Sequence, residues 1–375
     1  MALIDRWIAT RFLANFALVF SVMFLFAVSI DVILQLDAYL GAARAAVEAG
    51  RYGAMWTAVP AAIVDYHAPR VFQFYAFMVG LCSVASAGFT LTQMVRTREL
   101  VALLAAGVGL WRVGLVMLAV AVGLNLVQLV NGEIVLPRLA SRLVRGHEEI
   151  LRPSARAFSV RLTRDDDNRL VLAQAFDPVT LEAEDLLVVE RHERGAATRR
   201  IQAPRARWND ERGGWELTDG TATGRSAPGT GDGREVRIDR SEPIAFIATD
   251  VSPKAILSRR FRGFAQLLSS PEIAALARDG GLDPGDATRL VGQRFAGALV
   301  NLLMLVICLP FFLVREPRKM LQPSVLCAAV AVPGLLGGLF LMSVKIGGLP
   351  ATLGVFLPVA ALLPIAGWRL GALKS

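Results

Sequence analysis

Residues 12–34 read FLANFALVFSVMFLFAVSIDVIL and carry one ionisable side chain, Asp31. A helix rises 1.5 Å per residue, so about 20 apolar residues cross a hydrocarbon core of about 30 Å. The run meets that length and predicts a transmembrane helix. Arg6 and Arg11 precede it in the manner of a signal peptide. A cleavable apolar core, however, runs only about 7–15 residues and ends in a small-x-small site. Neither feature fits, so a retained span is expected. Outward from this run, the same character returns at residues 71–95, 111–130, 295–314, 325–343 and 349–367. Six spans are therefore predicted. The chain is 54% hydrophobic and only 19% charged, against about 25% charged in soluble domains, and its mean hydropathy is +0.49.

The net charge of +8 has an ordinary explanation in a membrane protein. A strongly basic chain can signal nucleic acid, but short loops rich in Lys and Arg also mark the cytoplasmic side of a membrane. Arg96, Arg98 and Arg112 flank the loop between spans two and three. Arg315, Arg318 and Lys319 fill the loop between spans four and five, and Arg369 and Lys374 lie at the C-terminus. Both termini and these loops are thus expected in the cytoplasm. The long 131–292 segment then lies outside, where its length exempts it from the charge rule. Cys82, Cys308 and Cys327 all fall within spans, so the external segment is expected to fold without disulfides. Three cysteines and three scattered histidines offer no metal spacing, and no metal or other cofactor is expected.

Between the first two spans, residues 35–70 form an external connection. Met55 to Val64 is apolar but too short to cross, and Trp56 and Tyr66 suit an interfacial depth. Residues 155–250 change character. Short apolar or alternating runs such as Leu170-Val171-Leu172-Ala173 and Leu186-Leu187-Val188-Val189 alternate with turn signals at Asp177-Pro178, Gly213-Gly214 and Pro228-Gly229. That spacing predicts an antiparallel sandwich or open barrel. Helical patterning resumes at Pro253. Ser270-Pro271-Glu272 predicts a helix start capped by serine, Gly280-Gly281 its end, and Asp283-Pro284 opens a helix that runs into span four. The expected organisation is residues 1–135 with spans one to three, a β domain over 136–255, a helical connection over 256–292, and spans four to six over 293–375.

The motifs of enzymes are missing from this sequence. No GxxxxGK[ST] phosphate loop occurs, and the glycines of 229–233 lie between strands with no helix following. No Ser/His/Asp or Cys/His set assembles on one side of the membrane. The informative stretch is Arg96-Thr97-Arg98-Glu99-Leu100-Val101-Ala102-Leu103-Leu104-Ala105-Ala106-Gly107-Val108. Glu99, Leu103 and Ala106 share one helical face, and Leu100, Leu104 and Gly107 another. This reads as a short cytoplasmic helix near 97–108, acidic at its N-terminus and ended by glycine. Such a helix either joins two spans or plugs into a cytoplasmic partner.

The 98–107 stretch resembles the coupling-helix signature of the LptF/LptG permeases of lipopolysaccharide export. Further resemblance lies in Phe176-Asp177, Leu187-Val188-Val189-Glu190, Ile201-Gln202-Ala203 and Gly214-Trp215-Glu216-Leu217, in that order, and in Gly348-Leu349-Pro350 before the last span. The likeness implies a membrane α-helical protein with an inserted periplasmic β-jellyroll, and no enzyme activity of its own. It implies a second permease of the same type, an LptB-type ATPase dimer, a periplasmic LptC/LptA-type bridge of jellyrolls, and lipopolysaccharide or a related glycolipid as cargo. The implied ATPase-coupling residues are Arg98, Glu99, Leu100, Leu103 and Gly107. Candidates for a lipid gate are Asp31, Asp37 and Lys345, the acids standing where some family members carry lysine. Candidates for an acyl-chain path, taken as inward by alternation, are Leu170, Leu172, Leu187, Val189 and Ile201. Two other classes stay open: a mechanotransmission permease, which usually has four spans, and a membrane-anchored envelope assembly scaffold.

Overall fold

The apolar runs form helices in the computed structural model, which describes residues 3–147, 150–151, 158–165, 167, 169–177, 180–191, 197–225, 238–260, 263–278, 282–313, 321–345 and 348–374. The basic loop Arg315, Arg318 and Lys319, the glycine-rich turn at 229–233 and Gly280-Gly281 lie outside these residues. Among the described residues, six helices are long and apolar enough to cross a membrane. Two compact units result. One comprises Met1–Leu36, His67–Arg138 and Gly285–Ser375, the other Asp37–Tyr66 and Leu139–Pro284.

The first unit holds the spans: α1 Leu3–Leu34, α4 Arg70–Arg96, α6 Leu110–Val130, α11 Pro284–Cys308, α12 Leu321–Ser343 and α13 Ala351–Lys374, with the short helix α5 Glu99–Ala105 between α4 and α6. Several helices extend past the apolar runs that predict them, because hydropathy marks only the part bathed in lipid while helix formation tolerates Arg6 and Arg11. Ile8, Phe12, Leu91, Met94, Met117, Met304 and Val355 meet in one buried core. The outward positions of α1 are equally apolar, with Leu18, Val22, Leu25, Phe26 and Ile33 exposed. A soluble protein would hide them, whereas lipid is as apolar as they are. Close approach depends on glycine at α4: a Cβ on Gly80 would meet Asn301 Oδ1 at 2.0 Å. That space lets Asn301 donate to Asn125 Oδ1 at 3.1 Å, which satisfies polar groups that lipid cannot.

The third span does not stop at residue 130. It passes through a π-helical turn, Asn131–Val135, into α7 Leu136–Leu143. Glu133 is tolerated there because Arg294 of α11 pairs with it.

Among the described residues, the second unit contains eight antiparallel strands: β1 Phe158–Arg164, β2 Leu170–Asp177, β3 Glu182–Arg191, β4 Ala197–Asn209, β5 Gly214–Thr218, β6 Thr221–Arg225, β7 Ile238–Pro243 and β8 Phe246–Ala248. Strand β4 is shared: residues 205–209 pair with β5 and residues 199–202 with β6. Pro204, which has no N–H to donate, stands between the two halves. Gly214 sits at the β5–β8 crossing, where a Cβ would lie 2.3 Å from the Ile247 carbonyl. Val171, Ala173, Leu186, Val188, Ile201, Ala203 and Trp215 are buried. Trp215 packs edge-on to Phe176 and Trp208 and donates its indole N–H to Val251 O at 3.1 Å.

The same unit carries α2 Leu36–Glu48 and α3 Met55–His67, where Tyr39 and Tyr66 pack edge to face. After the sheet come α8 Pro253–Arg260, α9 Phe264–Leu267 and α10 Ser270–Arg278. The cap of α10 is Ser269 rather than Ser270. The backbone N–H and hydroxyl of Ser269 donate to Glu272, three positions on, the reciprocal arm of a capping box. Burial works against the Glu272 charge, but hydrogen bonds from Lys254 and Ser269 outweigh it and hold the carboxyl below the usual range.

Candidate functional site

The stretch singled out at 96–108 folds into a helix with a left-handed residue at each end. Arg98 precedes α5 at φ 60° and Gly107 follows it at φ 79°. A positive φ is costly for arginine and free for glycine. Gly107 N–H bonds to Leu104 O at 3.0 Å and Val108 N–H to Leu103 O at 2.9 Å, a Schellman closure. Leu100 is buried and Leu103 packs against the core of the spans. Arg98, Val101, Ala102, Ala105, Ala106 and Gly107 are exposed. Three of the five expected coupling residues, Glu99, Leu100 and Leu103, therefore turn toward the spans. Arg98 and Gly107 remain outward, joined by Ala106 and by Val101, Ala102 and Ala105, which the periodicity did not single out.

Glu99 is held by Arg11 of α1, which forms an ion pair with it. The contact opens a polar row. Arg11 Nε donates to Gln93 Oε1 at 3.4 Å, and Asn15 Nδ2 reaches Gln93 Oε1 at 3.4 Å and Thr90 Oγ1 at 2.8 Å. Asn15 and Thr90 are both buried. The ion pair spans 88 positions of sequence, and the row could have been suspected only from the polar spacing Arg11, Asn15 within an apolar run.

At the opposite end of α1, Asp31 lies 3.3 Å from His67. Lys345, just past α12, pairs with Asp286 in the first turn of α11 at 2.6 Å. Beside it, Gln293 donates to Met342 O at 3.0 Å and Arg289 donates to Val344 O. The loop after α12 is thus tied to α11 by three side chains. Asp37 is exposed in the first turn of α2. The structure gives Asp31 and Lys345 separate partners within the chain, and His67 and Asp286 were missed because each lies far from its partner in sequence.

In the sheet, Leu172 faces Leu187 and Leu170 faces Val189 across β2–β3. All four are half-buried. They share the face opposite Val171, Leu186 and Val188, and two of them line a groove of about 490 Å³ beside Gln174, Asp185, Arg200 and Gln202. Ile201 pairs with Val188 on the buried face. The expected inward placement holds for Ile201 alone. Both faces of β2 and β3 are apolar, so a period of two could not fix its phase.

The elements above are those of a polytopic membrane protein with an inserted antiparallel β domain. No curated protein sequence matches the chain significantly. A family model described as lipopolysaccharide export system permease LptF/LptG matches residues 6–372, nearly the whole length. The chain belongs to that family of permeases.

Proposed function

We propose that the chain is one of two permease subunits of an ABC transporter that extracts lipopolysaccharide, or a related glycolipid, from the bacterial inner membrane. A separate cytoplasmic LptB-type ATPase dimer supplies the work through α5, and the β domain hands the lipid to a periplasmic bridge of LptC/LptA-type jellyrolls. The observation that carries this reading is the family match over residues 6–372. Support comes from the form of α5, a short exposed helix closed by left-handed residues between two spans. Its outward residues, Val101, Ala102, Ala105 and Ala106, can enter a groove without displacing charge. In this reading Arg98 and Gly107 frame the docking face, while Glu99, Leu100 and Leu103 anchor it. The contacts at the far ends of the spans, Asp31 with His67 and the ion pair of Lys345 with Asp286, then lie near the outer leaflet, where an anionic headgroup can compete for Lys345.

The test is reconstitution. Purified with its partner permease and ATPase, the complex should release glycolipid from proteoliposomes to an added periplasmic acceptor only when ATP is present. Release that is equal with and without ATP, or a chain that never co-purifies with an ATPase, refutes the proposal.

A further inference from the structure

The contact between Glu99 and Arg11 crosses a joint in the backbone. Thr97 and the left-handed Arg98 separate α4 from α5, and hinge motions are absorbed at a few such positions between elements. Left to the backbone, α5 could pivot about this joint while the spans stayed still. Glu99 is the first residue beyond the joint. Among the described residues, its ion pair with Arg11 is the polar side-chain contact that ties α5 to another span. From Arg11 the row continues one turn along α1 to Asn15 and back across α4 through Gln93 and Thr90. Where it ends, packing takes over. Phe16 and Phe20 stack at 6.2 Å, Phe20 and Phe24 at 6.4 Å, and Phe74 and Tyr75 of α4 close on them. From Arg11 to Phe24, then, α1 is fastened to α4 by a polar row followed by an aromatic one.

The row begins with Arg11 at the edge of the apolar run and enters it at Asn15 and Thr90, both buried, and polar side chains inside a membrane are expensive and by default functional. A purely structural fastening of α1 to α4 could be made of leucine. We propose that Arg11, Asn15, Thr90 and Gln93 are positioning residues that clasp the coupling helix to the first span, so that a displacement of α5 moves α1 as one body instead of bending the Arg98 joint. This deepens the permease reading above and rests on it. The clasp leaves Arg98, Val101, Ala102, Ala105 and Ala106 free for the partner. It also gives Glu99 a role within this chain.

The experiment uses the full-length permease assembled with its ATPase in lipopolysaccharide-containing proteoliposomes. Spin labels are placed on cysteines introduced at Leu34, which is exposed, and at Leu104, which is half-buried in α5 and outside the docking face, while Cys82, Cys308 and Cys327 are buried. In the unaltered clasp, the distance between the labels should stay constant between the nucleotide-free and ATP-bound states. In Arg11→Gln it should broaden and shift with nucleotide. Lipid released per ATP should then fall about tenfold, within the range by which network residues modulate coupling. Basal hydrolysis should stay within about twofold, and Arg11→Lys should restore part of the release, since it keeps the charge facing Glu99 but loses the separate Nε–H to Gln93. Should Arg11→Gln fail to insert, Gln93→Ala removes the shared acceptor, leaves the ion pair, and should shift the distance in the same sense. A label distance that changes with nucleotide in the unaltered clasp, or an Arg11→Gln or Gln93→Ala variant with normal release per ATP, overturns the clasp. A complex that releases no lipid with the clasp intact refutes the permease reading instead.

Discussion

Lys345 is 65% exposed and its partner Asp286 lies 2.6 Å away, so the pair is worth about 0–1 kcal/mol to stability. Its substitution should therefore leave folding almost untouched and report on ligand charge. With a phosphorylated lipid as cargo, Lys345→Glu should lower lipid-stimulated ATP hydrolysis severalfold, and Lys345→Arg should stay near normal. Asp286→Asn, which frees the lysine, should raise lipid affinity. Equal lipid stimulation in all three variants at equal membrane levels would return Lys345 to a lysine that merely snorkels to the headgroups. Trp215 makes the opposite kind of prediction. It is completely buried and its indole N–H is satisfied, so Trp215→Ala should destabilise the β domain by about 3–5 kcal/mol, the usual cost for a core aromatic. Proteolysis of the 158–248 region at unchanged membrane level would show the loss, and a protected β domain would contradict it. Lys345 was legible as a lone cation in an apolar stretch. Asp286 was not, because 59 positions separate the two and only the folded helices bring them together.

Outside the spans, α3 carries an exposed apolar row. Trp56, Pro60 and Val64 recur every four residues and are all exposed, Trp56 at 79%, while Ala58, Ala62 and Tyr66 on the other side are buried. Chain length restricts where this row can point. Only five residues separate Val64 from Arg70, the first residue of the span α4, and tryptophan is favoured at the membrane interface, so the row is expected near the bilayer surface. An environment-sensitive fluorophore on Trp56→Cys should emit to the blue and be quenched by lipids labelled near the headgroup more than by a water-soluble quencher. The reverse order of quenching would place α3 away from the lipid. The spans themselves were legible because lipid removes the ambiguity of hydropathy: an uncharged run of that length has no other fate. The ends were not. Span three continues beyond Val130 through its π turn because Arg294 receives Glu133, a partner 161 positions away. Helix α5 was legible as a helix with a glycine end, but which side faces the spans was not, since Val101, Ala102, Ala105 and Ala106 make the side opposite Leu100, Leu103 and Leu104 apolar too. The burial of Leu100 and the contact of Arg11 with Glu99 fix its rotation.

Across the molecule, the proposed function sets the two units different problems with one cargo: the spans would release an amphiphile, and the β domain would receive its acyl chains away from water. For the second task the sheet offers two surfaces. One is the buried face of Val171, Leu186, Val188 and Ile201, and the other the groove of Leu172 and Leu187, which also holds Asp185, Arg200 and Gln202. Apolar chains gain roughly 25 cal/mol per Å² only where they leave water, and a groove lined with charges withholds much of that. In that reading the buried face is therefore the expected path. The half-exposed face is then left for contact with another protein or with the headgroup sugars. Photo-crosslinking amino acids at Val171, Val188 and Ile201 should capture lipid when ATP is supplied, and those at Leu172 and Leu187 should capture little. Because a bulky probe in a packed core can disturb it, each variant must first match the unmodified protein in protease resistance of the 158–248 region. Lipid captured mainly at Leu172 and Leu187 would put the path on the outer groove. Capture at neither set, with release to the acceptor still intact, would mean that the cargo bypasses this sheet and that Val171, Val188 and Ile201 serve as ordinary core.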